Sequence, residues 1–261
     1  MSAAAAAPQG GIRQERRGDA VVLSIDHAAR RNALSLPVRQ ALLAALREAD
    51  ADPSVRAVVI VGEGAHFSAG GDLSTMQMSD VATARDRLAQ SHELVRTLAR
   101  LGKPVIAAVE GWAAGAGLSL ALACDLVVGA ESSNYAASFG KVGLIGDLGL
   151  LRNLPARVGA GRARRILFNA ESLPAAEALA IGLIDHLAPA GQALDEALRQ
   201  AARLAQVAPL SIAASKALMA DGLDALLDRE RELQALLFLS ADHAEGRAAF
   251  LEKRPPRFQG K

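Results

Sequence analysis

Two uninterrupted apolar runs limit the fold most strongly. Val58-Val59-Ile60-Val61 and Val105-Ile106-Ala107-Ala108-Val109 contain no polar residue, so each reads as a strand buried on both faces. Strands of that kind belong to a sheet covered by helices, and a helical pattern follows each run. Glycine follows both runs, directly after the first and one residue on, past Glu110, after the second. The first passes through Gly62-Glu63-Gly64 into His66-Phe67-Ser68-Ala69-Gly70-Gly71-Asp72-Leu73, and the second into Gly111-Trp112-Ala113-Ala114-Gly115-Ala116-Gly117. Glycine lets backbone approach a ligand closely, and converging N–H groups make an anion-stabilising pocket.

The remaining pattern extends this strand–helix order. Strands are expected at 20–25, 56–61, 105–109, 125–128 and 183–187. Helices are expected from Ser35-Leu36-Pro37 to about Ala49, over 79–100, over 118–123 with a first turn at the glycines, and at 148–154, 162–168 and 174–180. Residues 134–146 read as irregular. Past Pro189 the pattern is helical, with starts near Ala193, Pro209, Leu223 and Ala241. This divides the chain into a flexible tail (1–19), a strand–helix core (20–190) and a helical C-terminal region (191–261).

Composition excludes several function classes. With 261 residues, 51% of them hydrophobic, the chain can bury a large core. A net charge of +1 and 3% aromatic residues give no basis for binding nucleic acid or an anionic membrane. No stretch is apolar for the length of a membrane span, and MSAAAAAPQG lacks the parts of a secretory signal. Cys124 is the sole cysteine, so no intrachain disulfide forms, and a cytoplasmic location is expected. His27, His66, His92, His186 and His243 are scattered without ligand spacing, so no metal site is expected.

Known motifs fit poorly. Gly111, Gly115 and Gly117 do not follow the dinucleotide-binding spacing. Gly117-Leu118-Ser119-Leu120-Ala121 is one residue short of a nucleophile elbow, and its apolar neighbours place Ser119 inside a helix as a back-bonded serine.

Taken in order, HFSAGGDL, VIAAVEGWAAGAGLSLALACDLVV, FGKVGLIGDLGLLRNLPARVG and ALAIGLIDHLA resemble the enoyl-CoA hydratase/isomerase (crotonase) family from about Ala20 to Leu187. The resemblance implies an α/β spiral of repeated strand–strand–helix units with a helical C-terminal region. It also implies homotrimers, often paired into hexamers, and an acyl-CoA thioester as substrate, with no cofactor beyond its CoA moiety. Gly71 and Ala116 would supply the N–H groups of an oxyanion hole, and Ala69 would face the adenine end through its carbonyl. Arg30 and Arg31 resemble the segment that contacts the nucleotide, and Lys253 and Lys261 lie in a tail that often reaches a neighbouring subunit's CoA. Asp72 would shape its loop through local hydrogen bonds.

The departures point to the reaction. Hydratases of the family use two glutamates, and the resemblance places Ser119 and Phe139 at those positions; neither replaces a carboxylate. Asp147 falls where several isomerases carry a catalytic aspartate, although it also suits the N-cap of a helix from Leu148. A related aryl-CoA dehalogenase has its nucleophile there too. That branch also places a tryptophan nearby, and the single Trp112 lies in the glycine cluster instead. The expected activity is enoyl-CoA isomerisation through Asp147. The alternatives are a hydratase with a non-standard base and a non-catalytic acyl-CoA-binding protein.

Overall fold

The computed structural model describes residues 10–261. Its frame is a six-stranded sheet in the order β1 (Gly11–Arg17), β2 (Ala20–Asp26), β3 (Ala57–Gly62), β4 (Val105–Val109), β6 (Leu126–Ala130) and β9 (His186–Ala188). All neighbouring pairs are parallel except β1–β2. A second sheet of three short strands, β5 (Trp112–Ala114), β7 (Asn134–Ala136) and β8 (Ser172–Pro174), runs alongside.

Alternation along the strands explains why the apolar runs are continuous. Val58 and Ile60 face one apolar cluster while Val59 and Val61 face another, because successive side chains leave opposite faces of a strand. On the first side lie α1 (Leu36–Ala51), α2 (Val81–Arg100) and α3 (Ala116–Ala123), with Leu42, Leu46, Leu88, Leu98 and Leu118 in the core. On the second side α7 (Ala193–Leu204) presents Ala193, Ala197 and Ala201 to the sheet. That stripe of small residues at helical spacing permits close packing of helix on sheet.

After β4 the chain alternates between sheets. β4 runs in the large sheet, β5 in the small one and α3 follows; β6 and β7 repeat the step and lead through a short 3-10 helix, Ser138–Val142, to α4 (Leu150–Val158). Next come α5 (Ala160–Phe168) and α6 (Ala175–Ala180) on either side of β8, and after β9 the helices α7, α8 (Pro209–Met219), α9 (Leu223–Leu237) and α10 (Ala241–Glu252). Helix α9 packs on α2, and α10 on the 138–142 turn. Among the described residues no helix is long and apolar enough to cross a membrane.

Three sequence expectations need correction. Residues 11–17, assigned to the flexible tail, form an edge strand in register with β2 from Gly11↔Asp26 to Arg17↔Ala20; residues 1–9 of that tail lie outside the described residues. The strand is mostly exposed, so it carries no apolar alternation, and its charges suit an unpaired edge. Gly18, at φ +60, makes the tight hairpin turn. The 134–146 segment is not wholly irregular, since it contains β7 and the 3-10 helix. The last strand is His186–Ala188 rather than 183–187.

Candidate active site

The two glycine loops are laced together. Ser68 and Ala113 form an isolated parallel bridge, in which Ser68 N–H donates to the Trp112 carbonyl at 2.9 Å and Ala114 N–H to the Ser68 carbonyl at 3.0 Å. Glycine is required where the loops touch. A Cβ on Gly70, whose φ is +99, would lie 2.6 Å from the Ala114 carbonyl oxygen, and one on Gly117 would lie 2.6 Å from that of Ser68. Substitution at either point would push backbone against backbone.

This lacing leaves two donors free. Among the described residues neither Gly71 N–H nor Ala116 N–H donates to a protein acceptor. Ala116 opens α3, so its N–H has no intrahelical partner and sits at the positive end of the helix. Both residues line one cavity of about 350 Å³ together with Ala69, Met76, Phe139, Val142, Leu144 and Asp147. The structure thus brings Gly71 and Ala116, paired in the sequence reading, to the lining of one cavity.

Asp147 is 4% exposed, and its buried Oδ1 has no hydrogen-bond partner among the described residues. Burial pushes its carboxyl up to about 6; Arg39 pulls against this, Glu230 adds to it, and His92 and Arg87 oppose it more weakly. A carboxyl group tuned in this way exchanges protons near neutral pH. Its second expected role fails. Helix α4 starts at Leu150 behind Gly149, with no side-chain cap, because Leu148 (φ +54) and Gly149 (φ +74) form a left-handed turn that delays the helix by two residues.

The other acidic residue of the lining, Asp72, is occupied. Its Oδ1 accepts Ser74 N–H at 3.0 Å and Ser74 Oγ–H at 2.6 Å, which is the loop-shaping role expected of it. Ser119 is fully buried inside α3, with its hydroxyl directed at the Gly115 carbonyl at 3.4 Å. It is a back-bonded helical serine, as expected. Burial pushes the Cys124 thiol up to about 12, so it stays an unreactive thiol.

Comparison with known proteins decides the family. The family model described as enoyl-CoA hydratase/isomerase matches residues 16–261. The chain belongs to the enoyl-CoA hydratase/isomerase family. It is 35% identical to the 2,3-dehydroadipyl-CoA hydratase of Escherichia coli K12, over 95% of this chain and 97% of that one. It is 36% identical to the 1,2-epoxyphenylacetyl-CoA isomerase of the same organism, over 92% and 95%. The crystal structure of an enoyl-CoA hydratase from Mycobacterium avium subsp. paratuberculosis superimposes with a TM-score of 0.86 at 34% identity, covering 97% of this chain and 100% of that one. The strand–strand–helix spiral with its helical C-terminal region is thus the crotonase fold.

The residues proposed for CoA in this family member divide. Arg30, Arg31 and Ala69 line the cavity. The Ala69 N–H donates to the Arg31 carbonyl at 2.9 Å, and its own carbonyl accepts no hydrogen bond among the described residues. Lys253 and Lys261, expected to reach a neighbouring subunit's CoA, do not line the cavity of their own chain, where the tail places Phe250 and Leu251. Lys253 ends α10 in a left-handed conformation, and the Lys261 carbonyl accepts Asp242 N–H at 3.1 Å.

Sequence reasoning missed the supports of the site. Asn32 is fully buried at φ +56. Its Oδ1 accepts His27 N–H at 3.0 Å, its Nδ2 donates to the Glu63 and His66 carbonyls at 2.9 and 2.7 Å, and its carbonyl accepts Ser68 Oγ–H at 2.7 Å. One residue, through its side chain and its backbone carbonyl, thereby ties the arginine segment to the strand-to-loop passage that leads to Gly70-Gly71. Arg39, 4% exposed, donates from Nε to the Leu34 carbonyl at 2.9 Å and from Nη1 to Ser91 Oγ at 2.8 Å. The available signal was a charge on an apolar stripe, since Arg39 shares its helix face with Leu42 and Leu46.

Proposed function

We propose that the protein is an enoyl-CoA isomerase that moves a double bond from the 3,4 to the 2,3 position of an acyl-CoA thioester. The thioester oxygen accepts hydrogen bonds from Gly71 and Ala116. The Asp147 carboxylate removes a proton from C2, and the electron pair left behind delocalises through the carbonyl to give a dienolate. Protonated Asp147 then returns the proton to C4, so the double bond moves and no atom is gained or lost. Two N–H donors stabilise the dienolate oxygen more than the neutral carbonyl, which is how they lower the barrier.

The observation that carries this reading is the single unengaged carboxylate of the cavity among the described residues. Of the two acidic residues in the lining, Asp72 is bonded to Ser74, while Asp147 has a buried, unpartnered oxygen and a carboxyl tuned to about 6. A single base can carry one proton from C2 to C4, whereas hydration is simplest with one group activating water and a second delivering a proton. A relative named as an isomerase, of an epoxide rather than an alkene, supports the general class of reaction, and the hydratases among the relatives make hydration the competing outcome.

The test gives the purified protein 3-enoyl-CoA and 2-enoyl-CoA in turn and identifies the products by chromatography and mass spectrometry. A 2-enoyl product from the first substrate supports the proposal. Hydration of the second substrate without isomerisation of the first sinks it, as does binding of a chain-length panel without turnover.

A further inference from the structure

The loop that carries Asp147 is gripped on both sides by one face of α9. Upstream, the Gln234 amide makes a closed pair with Ile145: Oε1 accepts its N–H at 3.1 Å and Nε2 donates to its carbonyl at 3.2 Å. Downstream, Glu230 Oε1 accepts Leu148 N–H at 2.7 Å and Oε2 accepts Gly149 N–H at 3.0 Å. Glu230 and Gln234 are four residues apart, so they lie one above the other on the helix, and they are 3% and 0% exposed. Glu230 is itself fixed by His92 Nε2 of α2 at 2.8 Å.

This arrangement is costlier than support of a loop needs. A carboxylate removed from water is unfavourable unless well paired, and the turn it holds puts Leu148, a residue with a Cβ, at φ +54. Such backbone persists only where its surroundings impose it, and it occurs at functional sites. The two bonds from Glu230 hold Leu148 and Gly149 in that left-handed turn, immediately after Asp147.

We propose that Glu230 and Gln234 are positioning residues, a two-point clasp on α9 that fixes the direction of the Asp147 carboxylate toward the bound acyl chain. This rests on the reading of Asp147 as the proton carrier. It gives α9 a part in the chemistry that neither the glycine loops nor the cavity lining would indicate.

The test compares Glu230→Gln and Gln234→Leu with the wild type by kcat, KM and pH profile, after circular dichroism and thermal melting establish that each is folded. Glutamine can accept only one of the two N–H groups, and leucine none, so kcat should fall about 10–100-fold in each, the scale set by small misplacement of a reacting group, while KM changes far less. The pH profiles should differ. The titratable groups facing Asp147 are Arg39 on α1, Arg87 and His92 on α2, and Glu230 on α9. Removing the like charge of Glu230 should move the acidic limb to lower pH, whereas Gln234→Leu alters no charge and should leave it in place. A shorter carboxylate, Glu230→Asp, should keep the limb near its original position without restoring kcat.

Unchanged kcat in both folded variants would overturn the proposal, and so would losses in kcat that merely follow thermal stability with no movement of the limb in Glu230→Gln. Crystal structures of the wild type and Glu230→Gln need no turnover. If the wild type fails to isomerise, the functional reading falls, and these structures still decide the clasp: an Asp147 carboxylate turned from its place in the cavity supports it and an unmoved one overturns it.

Discussion

In the proposed reaction Ala116 acts through a backbone atom, so a side-chain scan would miss it. Proline at this position would delete the N–H and yet suit the first position of a helix. The preceding Gly115, at φ +49 and ψ −124, accepts conformations closed to other residues. Ala116→Pro should therefore keep its fold by circular dichroism and lose on the order of 10²–10³ in kcat, the usual effect of one oxyanion donor. Full activity in the folded variant would remove Ala116 from the mechanism. Asp147 allows a separate prediction about stability. Its carboxyl sits at about 6 in the folded protein, above the ordinary value near 3.9 in the unfolded chain. The folded state consequently holds the proton more tightly, and stability falls as pH rises from about 4 through about 6, by on the order of 2–3 kcal/mol once ionisation is complete. Asp147→Asn carries no such penalty. Its melting temperature should exceed that of the wild type at pH 8, and the difference should shrink toward pH 4; equal melting at both values would contradict the burial of an ionisable group there.

The elements that hold the site were unequally legible. The strands before the two glycine loops were evident because branched apolar residues run without interruption, and the helix starts at Pro209 and Leu223 appear where expected. The small sheet was hidden, since β5, β7 and β8 have three residues each, too few for a period to emerge. The polar supports were hidden for another reason. His92, Glu230 and Gln234 interrupt apolar stripes on α2 and α9, and sequence alone does not reveal which stripes face one another. Asn32 shows how much such a support contributes. Replacing it with alanine strands the His27 N–H and the Glu63 and His66 carbonyls and leaves a side chain with a Cβ at φ +56. Asn32→Ala should cost on the order of 3 kcal/mol in urea unfolding, given about 1–3 kcal/mol for each buried unsatisfied group, and should lower kcat by loosening the Gly70-Gly71 loop. A loss below 0.5 kcal/mol would mean that neighbouring groups hold the loops without it.

For the whole molecule, the family and fold were readable because four motifs occur in order along most of the chain. The proposed reaction rests on residues that are distant in sequence, each within one of those motifs, and that line one cavity: Gly71 after β3, Ala116 at the start of α3 and Asp147 in the turn before α4. We also propose that this chain assembles as a homotrimer or a hexamer of paired trimers. Leu210, Leu218 and Met219 of α8 are 83%, 72% and 74% exposed, and Leu236 of α9 is 58% exposed, a concentration of apolar surface that association would cover. Light scattering should return three or six times the chain mass of 27.0 kDa, and a monomer would refute the assembly.

The central claim is that one carboxylate, Asp147, moves a proton between two carbons of a thioester held by Gly71 and Ala116. The most direct measurement follows conversion of a 3-enoyl-CoA to its 2-enoyl isomer from pH 5 to 8 with the wild type and Asp147→Asn. The wild-type rate should rise with pH through about 6, as the carboxylate becomes available, and then level off. The folded variant should lose at least roughly 10²-fold throughout, within the range attributed to a positioned acid or base. An asparagine variant that isomerises at the wild-type rate would contradict the claim.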